Sequence, residues 1–190
     1  YEIPLRLVGS EMCIRDSTRL LLKLVNDVLE LSRIESGNMS FHCEDCSAHH
    51  FAETVYQTHQ VIILPPVEFI KEFPDEDVTI HIDRMRLTQV ITNFLGNAKK
   101  FTSQGHIKLG YFCDKEKKEI HIFVEDTGAG IPKEELQMIF ERFYKRNEFV
   151  QGVGLGLAIS KVIVEKMNGH IDVQSEVNKG SRFTAVLPYL

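Results

Sequence analysis

Residues 92–102 read TNFLGNAKKFT and close the strongest helical pattern in the chain. Across Arg84–Phe101, Leu87, Val90, Ile91, Phe94, Leu95 and Ala98 recur at the spacing of one helix face. Asn93 and Asn97 are four residues apart, and Lys100 follows three later. Two amides and an ammonium therefore share one side of a helix that is apolar on another. Such a side has two readings. It can be a solvated surface ending in an Asn and Lys turn. It can also be a ligand set, in which an amide oxygen holds a hard cation and Lys100 faces a phosphate oxygen.

Downstream, Gly105–Cys113 and Glu119–Glu125 read as paired strands around the turn DKEKK. The second strand runs into EDTGAGIP, Glu125–Pro132. Asp126 emerges from the end of an apolar strand, so its carboxylate is expected to be partly buried and to need donors. A purine amino group is one such donor. Gly128 and Gly130 would let a ring or sugar approach the backbone. Lys133–Phe143 reads as a helix after Pro132. Its end, IFERFYK (Ile139–Lys145), sets Phe140, Phe143 and Tyr144 beside Arg142 and Lys145. Aromatics so spaced are core residues first, while the two cations can reach phosphates.

Gln151–Lys161 reads QGVGLGLAISK. Gly152, Gly154 and Gly156 alternate with Val153 and Leu155, and a helix over Leu155–Met167 begins at once. A Gly-rich loop entering a helix N-terminus offers free backbone N–H groups and the positive end of the helix dipole. The spacing is neither the dinucleotide-binding G-x-G-x-x-G nor the P-loop pattern.

Upstream, Thr18–Glu35 is an amphipathic helix whose wide apolar face needs a partner, another helix in this reading. Met39–Cys46 reads as a short strand and Ala48–Gln60 as a helix. Val67–Phe73 and Val78–Ile82 read as strands around Pro74–Asp77. The chain closes with a hairpin, Ile171–Val177 and Ser181–Leu187, across Asn178–Gly180. Strand pairs grouped in sequence and mixed with helices predict an α/β (α+β) two-layer sandwich. Its sheet is mixed and mostly antiparallel, its helices lie on one face, and one helix precedes it.

The bulk composition agrees with a soluble domain. Hydrophobic residues make up 43% and charged residues 26% of 190. The net charge of -5 with dispersed Lys and Arg argues against nucleic acid as a partner. No apolar run suits a bilayer, so no membrane contact is expected of this stretch. The four cysteines, Cys13, Cys43, Cys46 and Cys113, read as reduced and cytoplasmic. Residues 1–17, YEIPLRLVGSEMCIRDS, fit nothing downstream and read as a foreign segment.

The order TNFLGNAKKFT, EDTGAGIP, IFERFYK, GVGLGL resembles the four sequence boxes of the ATP-binding domain of sensor histidine kinases. That domain has the Bergerat-type fold of the GHKL superfamily, shared with gyrase, the MutL repair proteins and the heat-shock chaperone ATPases. IDRMRLTQV (Ile82–Val90) resembles the lead-in to the first box, and NKGSRFTAVLP (Asn178–Pro188) the closing hairpin. LLLKLVNDVLELSRIESGNMSF resembles the second dimerisation helix and its linker. The resemblance thus implies a division into residues 1–17, a dimerisation remnant over 18–37 and a catalytic domain over 38–190.

The resemblance also implies the site. Asn97 would be the Mg²⁺ ligand, with Asn93 close to the metal and phosphates. Lys100 would contact phosphate and Phe101 would lie against adenine. Asp126 would accept from the adenine amino group, with Gly128, Gly130 and Ile131 along base and ribose and Thr184 in support. Arg142 and Lys145 would approach the terminal phosphates beside Phe143 and Tyr144. Gly152, Val153, Gly154, Leu155, Gly156 and Leu157 would wrap the phosphate tail. ATP and Mg²⁺ are the implied cofactors. The implied partners are the chain's own dimerisation and phosphoacceptor domain, as a homodimer, and a response regulator receiver domain. The location implied is cytoplasmic, with the inner membrane as the anchor of a full-length member.

ATP-hydrolysing relatives carry a Glu where this chain has Asn93, so phosphoryl transfer to a side chain is implied rather than hydrolysis. Two departures stand out. None of His42, His49, His50, His59, His81, His106, His121 and His170 sits in the family's phosphoacceptor context. The expectation is a catalytic fragment that does not phosphorylate itself. The lid between Lys145 and Gly152 is only RNEFVQ, shorter than in many members. Three other readings stay open: a zinc site in HCEDCSAHH, at Cys43, Cys46, His49 and His50; a degenerate module that binds without kinase activity; and a protein-serine kinase of the anti-sigma type.

Overall fold

A computed structural model describes residues 18, 21–34, 36–145 and 153–189. Helix α1 covers residues 21–34. Then follow β1 (Glu44–Ser47), α2 (Ala48–Gln60), β2 (Val67–Glu72), β3 (Thr79–Ile82), α3 (Arg84–Phe101), β4 (Gly105–Asp114), β5 (Glu119–Asp126), α4 (Gly156–Lys166), β6 (His170–Glu176) and β7 (Gly180–Pro188). A five-stranded sheet has the order β2-β4-β5-β7-β6. Only β2 and β4 pair in parallel. The other pairings are antiparallel. Helices cover one face of this mixed sheet.

Strand alternation explains why. Ile107 and Leu109 of β4, Ile120, Ile122 and Val124 of β5, and Phe183, Ala185 and Leu187 of β7 are buried on the helix side. The registers Leu109↔Val124 and Val124↔Phe183 align them across the strands. They meet Leu87, Val90, Ile91, Phe94 and Leu95 of α3 and Ile159, Ile163 and Val164 of α4 in one core. The opposite face carries Lys108, Phe112, His121, Glu125 and Arg182. There Arg182 lies 4.0 Å from the Phe123 ring centre and its Nε donates to Glu125 at 2.6 Å.

Caps mark where helices start. Asp83 accepts from the Arg86 N–H at 3.0 Å and from the His42 N–H at 2.9 Å, fixing the start of α3. Ser47 accepts from the His50 N–H at 2.9 Å at the start of α2.

Several expected elements differ. Met39–Cys46 was expected as a strand, but only Glu44–Ser47 has strand pairing, four residues against β3. Val67–Phe73 and Val78–Ile82 do not form one hairpin: β2 joins β4 in the main sheet, while β3 pairs with β1. Lys133–Phe143 is not an α-helix. It holds two 3-10 turns, Lys133–Glu135 and Met138–Phe140, neither with a buried residue. Its inward side is only half-buried, with Ile139 packed against the core, which leaves little of the tertiary packing that stabilises most protein helices. Residues 1–17 and the lid at 146–151 lie outside the described residues.

Helix α1 is two-sided. Leu31 is buried in the common core and Ile34 packs against it. Leu21, Leu22, Val25, Val28 and Leu29 are exposed on the other side.

Candidate functional site

The polar half of α3 faces a cavity of about 430 Å³. Thr92, Asn93, Gly96, Asn97, Lys100 and Phe101 form one wall, and Gly154, Leu155, Gly156 and Leu157 another. Asp126, Gly130 and Ile131 line it from the end of β5, and Ser181 and Phe183 from β7. Tyr144, Lys145 and Val153 also belong to it. Its size falls in the range of small-molecule sites.

At one end sits Asp126, 6% exposed. The Gly128 N–H donates to its carboxylate at 2.8 Å and the Thr102 hydroxyl at 3.5 Å. Burial nevertheless pushes the Asp126 carboxyl above its ordinary 3.8, while these donors and the Ser181 backbone pull it back. A desolvated carboxylate that lines a cavity suits a ligand bringing an N–H. The loop after Asp126 is sewn in place. The Ala129 N–H donates to the Phe101 carbonyl at 3.3 Å, and the Asn178 N–H to the Ala129 carbonyl at 2.9 Å. Gly130 has φ +66°, and a Cβ there would lie 2.0 Å from the Glu176 carbonyl oxygen. Only glycine fits.

Lys23, Lys100 and Lys145 also line the cavity, together with Asp27 and Glu135. Lys100 sits below its ordinary 10.5, chiefly through burial, with repulsion from Lys145 and Lys23 added. Helix α4 begins at Gly156 with no side-chain cap, so first-turn N–H groups stay open toward the cavity. The loop reaches α4 through Gly154, with φ +80° and Tyr144 and Phe143 backbone close by. Asn93 ties the walls together: its Nδ2 donates to the Gly156 carbonyl and to the Ser160 hydroxyl, each at 3.2 Å. Asn97, one turn on, has no hydrogen-bond partner among the described residues. Its amide oxygen is a hard, neutral donor facing the cavity, which fits an oxygen-preferring divalent cation.

Some expected site residues lie elsewhere. Thr184 pairs with Phe123 and Asp172 on the far face of the sheet, away from the cavity. Alternation puts Ser181, aligned with Asp126, on the cavity side instead. Gly128 packs behind the lining, where a Cβ would lie 2.4 Å from the Phe101 carbonyl oxygen. Arg142 and Phe143 are exposed and outside the lining, Phe143 at φ +63°. Gly152 lies outside the described residues. Lys23, Asp27, Thr92, Gly96, Glu135, Ile139, Ser181 and Phe183 line the cavity without having been singled out from sequence. The period-two pattern of β7 is the signal that marks Ser181 and Phe183. The cysteine and histidine stretch builds no metal centre: among the described residues no three His, Cys, Asp or Glu side chains are grouped to hold an ion. His49 instead meets the Tyr111 hydroxyl at 3.4 Å.

Residues 82–190 match the family model of histidine kinase-, DNA gyrase B-, and HSP90-like ATPases. The chain belongs to this family. It is homologous to the catalytic domains of sensor histidine kinases. It is 34% identical over 183 residues to the sensor histidine kinase WalK of Bacillus subtilis, covering 94% of this chain and 30% of WalK. It is 35% identical over 193 residues to the sensor histidine kinase RcsC of Salmonella typhimurium, covering 98% of this chain and 20% of RcsC. The chain thus spans a third or less of these relatives. Among solved structures it resembles full-length ShkA in complex with AMPPNP, with TM-score 0.85, 28% identity, and coverage of 100% of this chain and 40% of ShkA. It also resembles the catalytic domain of histidine kinase ThkA, with TM-score 0.69, 28% identity, and coverage of 80% of this chain and 97% of ThkA's. Among the described residues no helix is long and apolar enough to cross a membrane.

Proposed function

We propose that this domain binds ATP with Mg²⁺ and transfers the γ-phosphoryl group to a histidine on a dimerisation domain, for relay to a response regulator. One observation carries the reading: the cavity joins a buried, desolvated carboxylate to lysines and an uncapped helix N-terminus. Adenine and triphosphate have that polarity.

In this reading Asp126 accepts from the adenine amino group, with Ser181 beside it and Phe101 and Ile131 against the ring. Lys100, Lys145 and the first N–H groups of α4 hold the phosphates. Asn97 would hold Mg²⁺, which when bound would neutralise phosphate charge. Asn93 positions the N-terminus of α4 against the wall that carries Asn97. No carboxylate stands at its place to deprotonate water, so a nitrogen lone pair of the acceptor histidine is the nucleophile. The N–P bond forms as the P–O bond to ADP breaks, and ADP leaves with that electron pair. Catalysis is then positioning and charge neutralisation.

Calorimetric titration with Mg·AMPPNP tests the binding half, and absence of binding would refute it. The transfer half needs a dimerisation-domain fragment with an intact histidine, mixed with this chain and radiolabelled ATP. Label on that fragment, lost when its histidine is replaced, is the expected result. Binding without transfer would leave a nucleotide-binding module instead.

A further inference from the structure

The family match starts at residue 82, but the cavity is not closed by residues 82–190 alone. Lys23 and Asp27, one turn apart on α1, form part of its wall. Their place follows from how α1 is seated. Glu30 accepts from Arg86 Nη1 and from Gln89 Nε2, the latter at 2.6 Å. The Glu30 and Arg86 side chains are only 16% and 18% exposed. Leu31 and Ile34 pack into the core beside this clasp. Lys23, Asp27, Glu30, Leu31 and Ile34 fall on one side of the helix by their spacing. Glu30 meets the first turns of α3, so α1 runs back along α3. That direction brings Asp27 and then Lys23 toward Asn97 and Lys100.

We propose that α1 completes the nucleotide site: Lys23 binds phosphate, and Glu30, through its clasp on Arg86 and Gln89, is the positioning residue that holds Lys23 over the cavity. The inference rests on the nucleotide reading above. Lys23, Lys100 and Lys145 gather around one cavity, and like charges so gathered repel unless an anion joins them. Asp27 and Glu135 share the wall with these lysines; burial pushes the Asp27 carboxyl up and Lys23 opposes that shift. Helix α1 then senses nucleotide: its seating and phosphate binding favour each other, and undocking it removes one cation from the site.

The test is titration of the whole chain with Mg·AMPPNP and, separately, with adenosine, which lacks phosphates. Lys23→Ala weakens Mg·AMPPNP binding about fivefold, a value that allows for the exposure of this lysine. Lys23→Glu weakens it about twentyfold and Lys23→Arg restores it to within about twofold. Adenosine affinity is unchanged in all three. Glu30→Ala weakens Mg·AMPPNP binding about as much as Lys23→Ala, and the double variant binds about as well as Lys23→Ala alone, because both act through one ammonium. Glu30→Gln, which keeps an acceptor for Arg86, guards against unfolding and shows a smaller loss. The inference is overturned if Lys23→Ala and Lys23→Glu bind Mg·AMPPNP within about twofold of the parent, or if adenosine affinity falls equally. If the parent itself does not bind Mg·AMPPNP, the nucleotide reading fails too. If the parent binds, Asn97→Ala does not, and the Lys23 variants are normal, only the role of α1 falls.

Discussion

Helices α3 and α4 border the same cavity, but they meet it with opposite ends. The start of α3 is at the opposite end from the cavity and has a side-chain cap, Asp83, which accepts the Arg86 N–H of the helix and also the His42 N–H. Its second half, toward the negative end of its dipole, lines the cavity and carries Lys99 and Lys100 in the last turn. Helix α4 points its positive end into the cavity and has no side-chain cap there. A cap at that point would occupy the donors that an anion needs. The pair shows how a fold keeps one region positive: lysines offset one helix end, and an open start is left at the other.

Breaking the α3 half should have the largest effect. Asn97→Ala is expected to weaken Mg·AMPPNP binding about a hundredfold, with an unchanged circular dichroism spectrum and melting point, since among the described residues the amide holds no partner. Chelating Mg²⁺ should weaken the parent and leave this variant unmoved. Equal sensitivity to the chelator in both would remove Asn97 from the metal.

Asp126→Asn separates binding from stability. Affinity should fall about twentyfold, while stability at neutral pH rises by up to about 1 kcal/mol, because a desolvated charge is gone. The sign follows from the raised carboxyl. A carboxyl raised on folding contributes stability below its unfolded pKa, and that contribution is lost as pH rises through the folded value. Urea unfolding between pH 4 and pH 7 should show this decline in the parent and not in the variant. A variant less stable than the parent at neutral pH would contradict the account.

On the α4 side, Gly154→Ala forces a Cβ at φ +80° to within 2.7 Å of the Tyr144 carbonyl oxygen. The strain should cost about 1–2 kcal/mol of stability, read by urea unfolding. It should also weaken Mg·AMPPNP binding about fivefold, by shifting the N–H groups of α4. The smallest binding effect belongs to Asp83→Ala. It should cost about 1 kcal/mol of stability through the lost cap and leave Mg·AMPPNP affinity unchanged in the same titration. If it weakened binding as Asn97→Ala does, the two ends of α3 would not be separable.

Local periodicity made much of this molecule legible in the sequence. The core stripe of α3, the paired β4 and β5, and the closing hairpin follow from spacings of 3.6 and 2. The order of the four polar boxes pointed to the family. Short or weakly buried pieces were less readable. The chemistry of Val67–Glu72 fits either sheet, and only the parallel pairing with β4 decides its place. Lys133–Phe143 has helix-like spacing, but none of the residues in its two 3-10 turns becomes fully buried. The place given to Thr184 came from the family resemblance, whereas strand alternation one residue on from Phe183 sends it to the other face.

Local sequence settles which residues carry charge and amide groups and on which side of each helix or strand they stand, because these depend on neighbours a few positions away. Which of those sides face one another is set by the packed fold. It set Asn93 against Gly156, aligned Ser181 with Asp126, and laid α1 along α3 so that Lys23 reaches the cavity. Those contacts join residues tens of positions apart. They are selected by the packing of the whole core and by partly buried polar pairs such as Glu30 with Arg86 and Gln89, which no local pattern encodes.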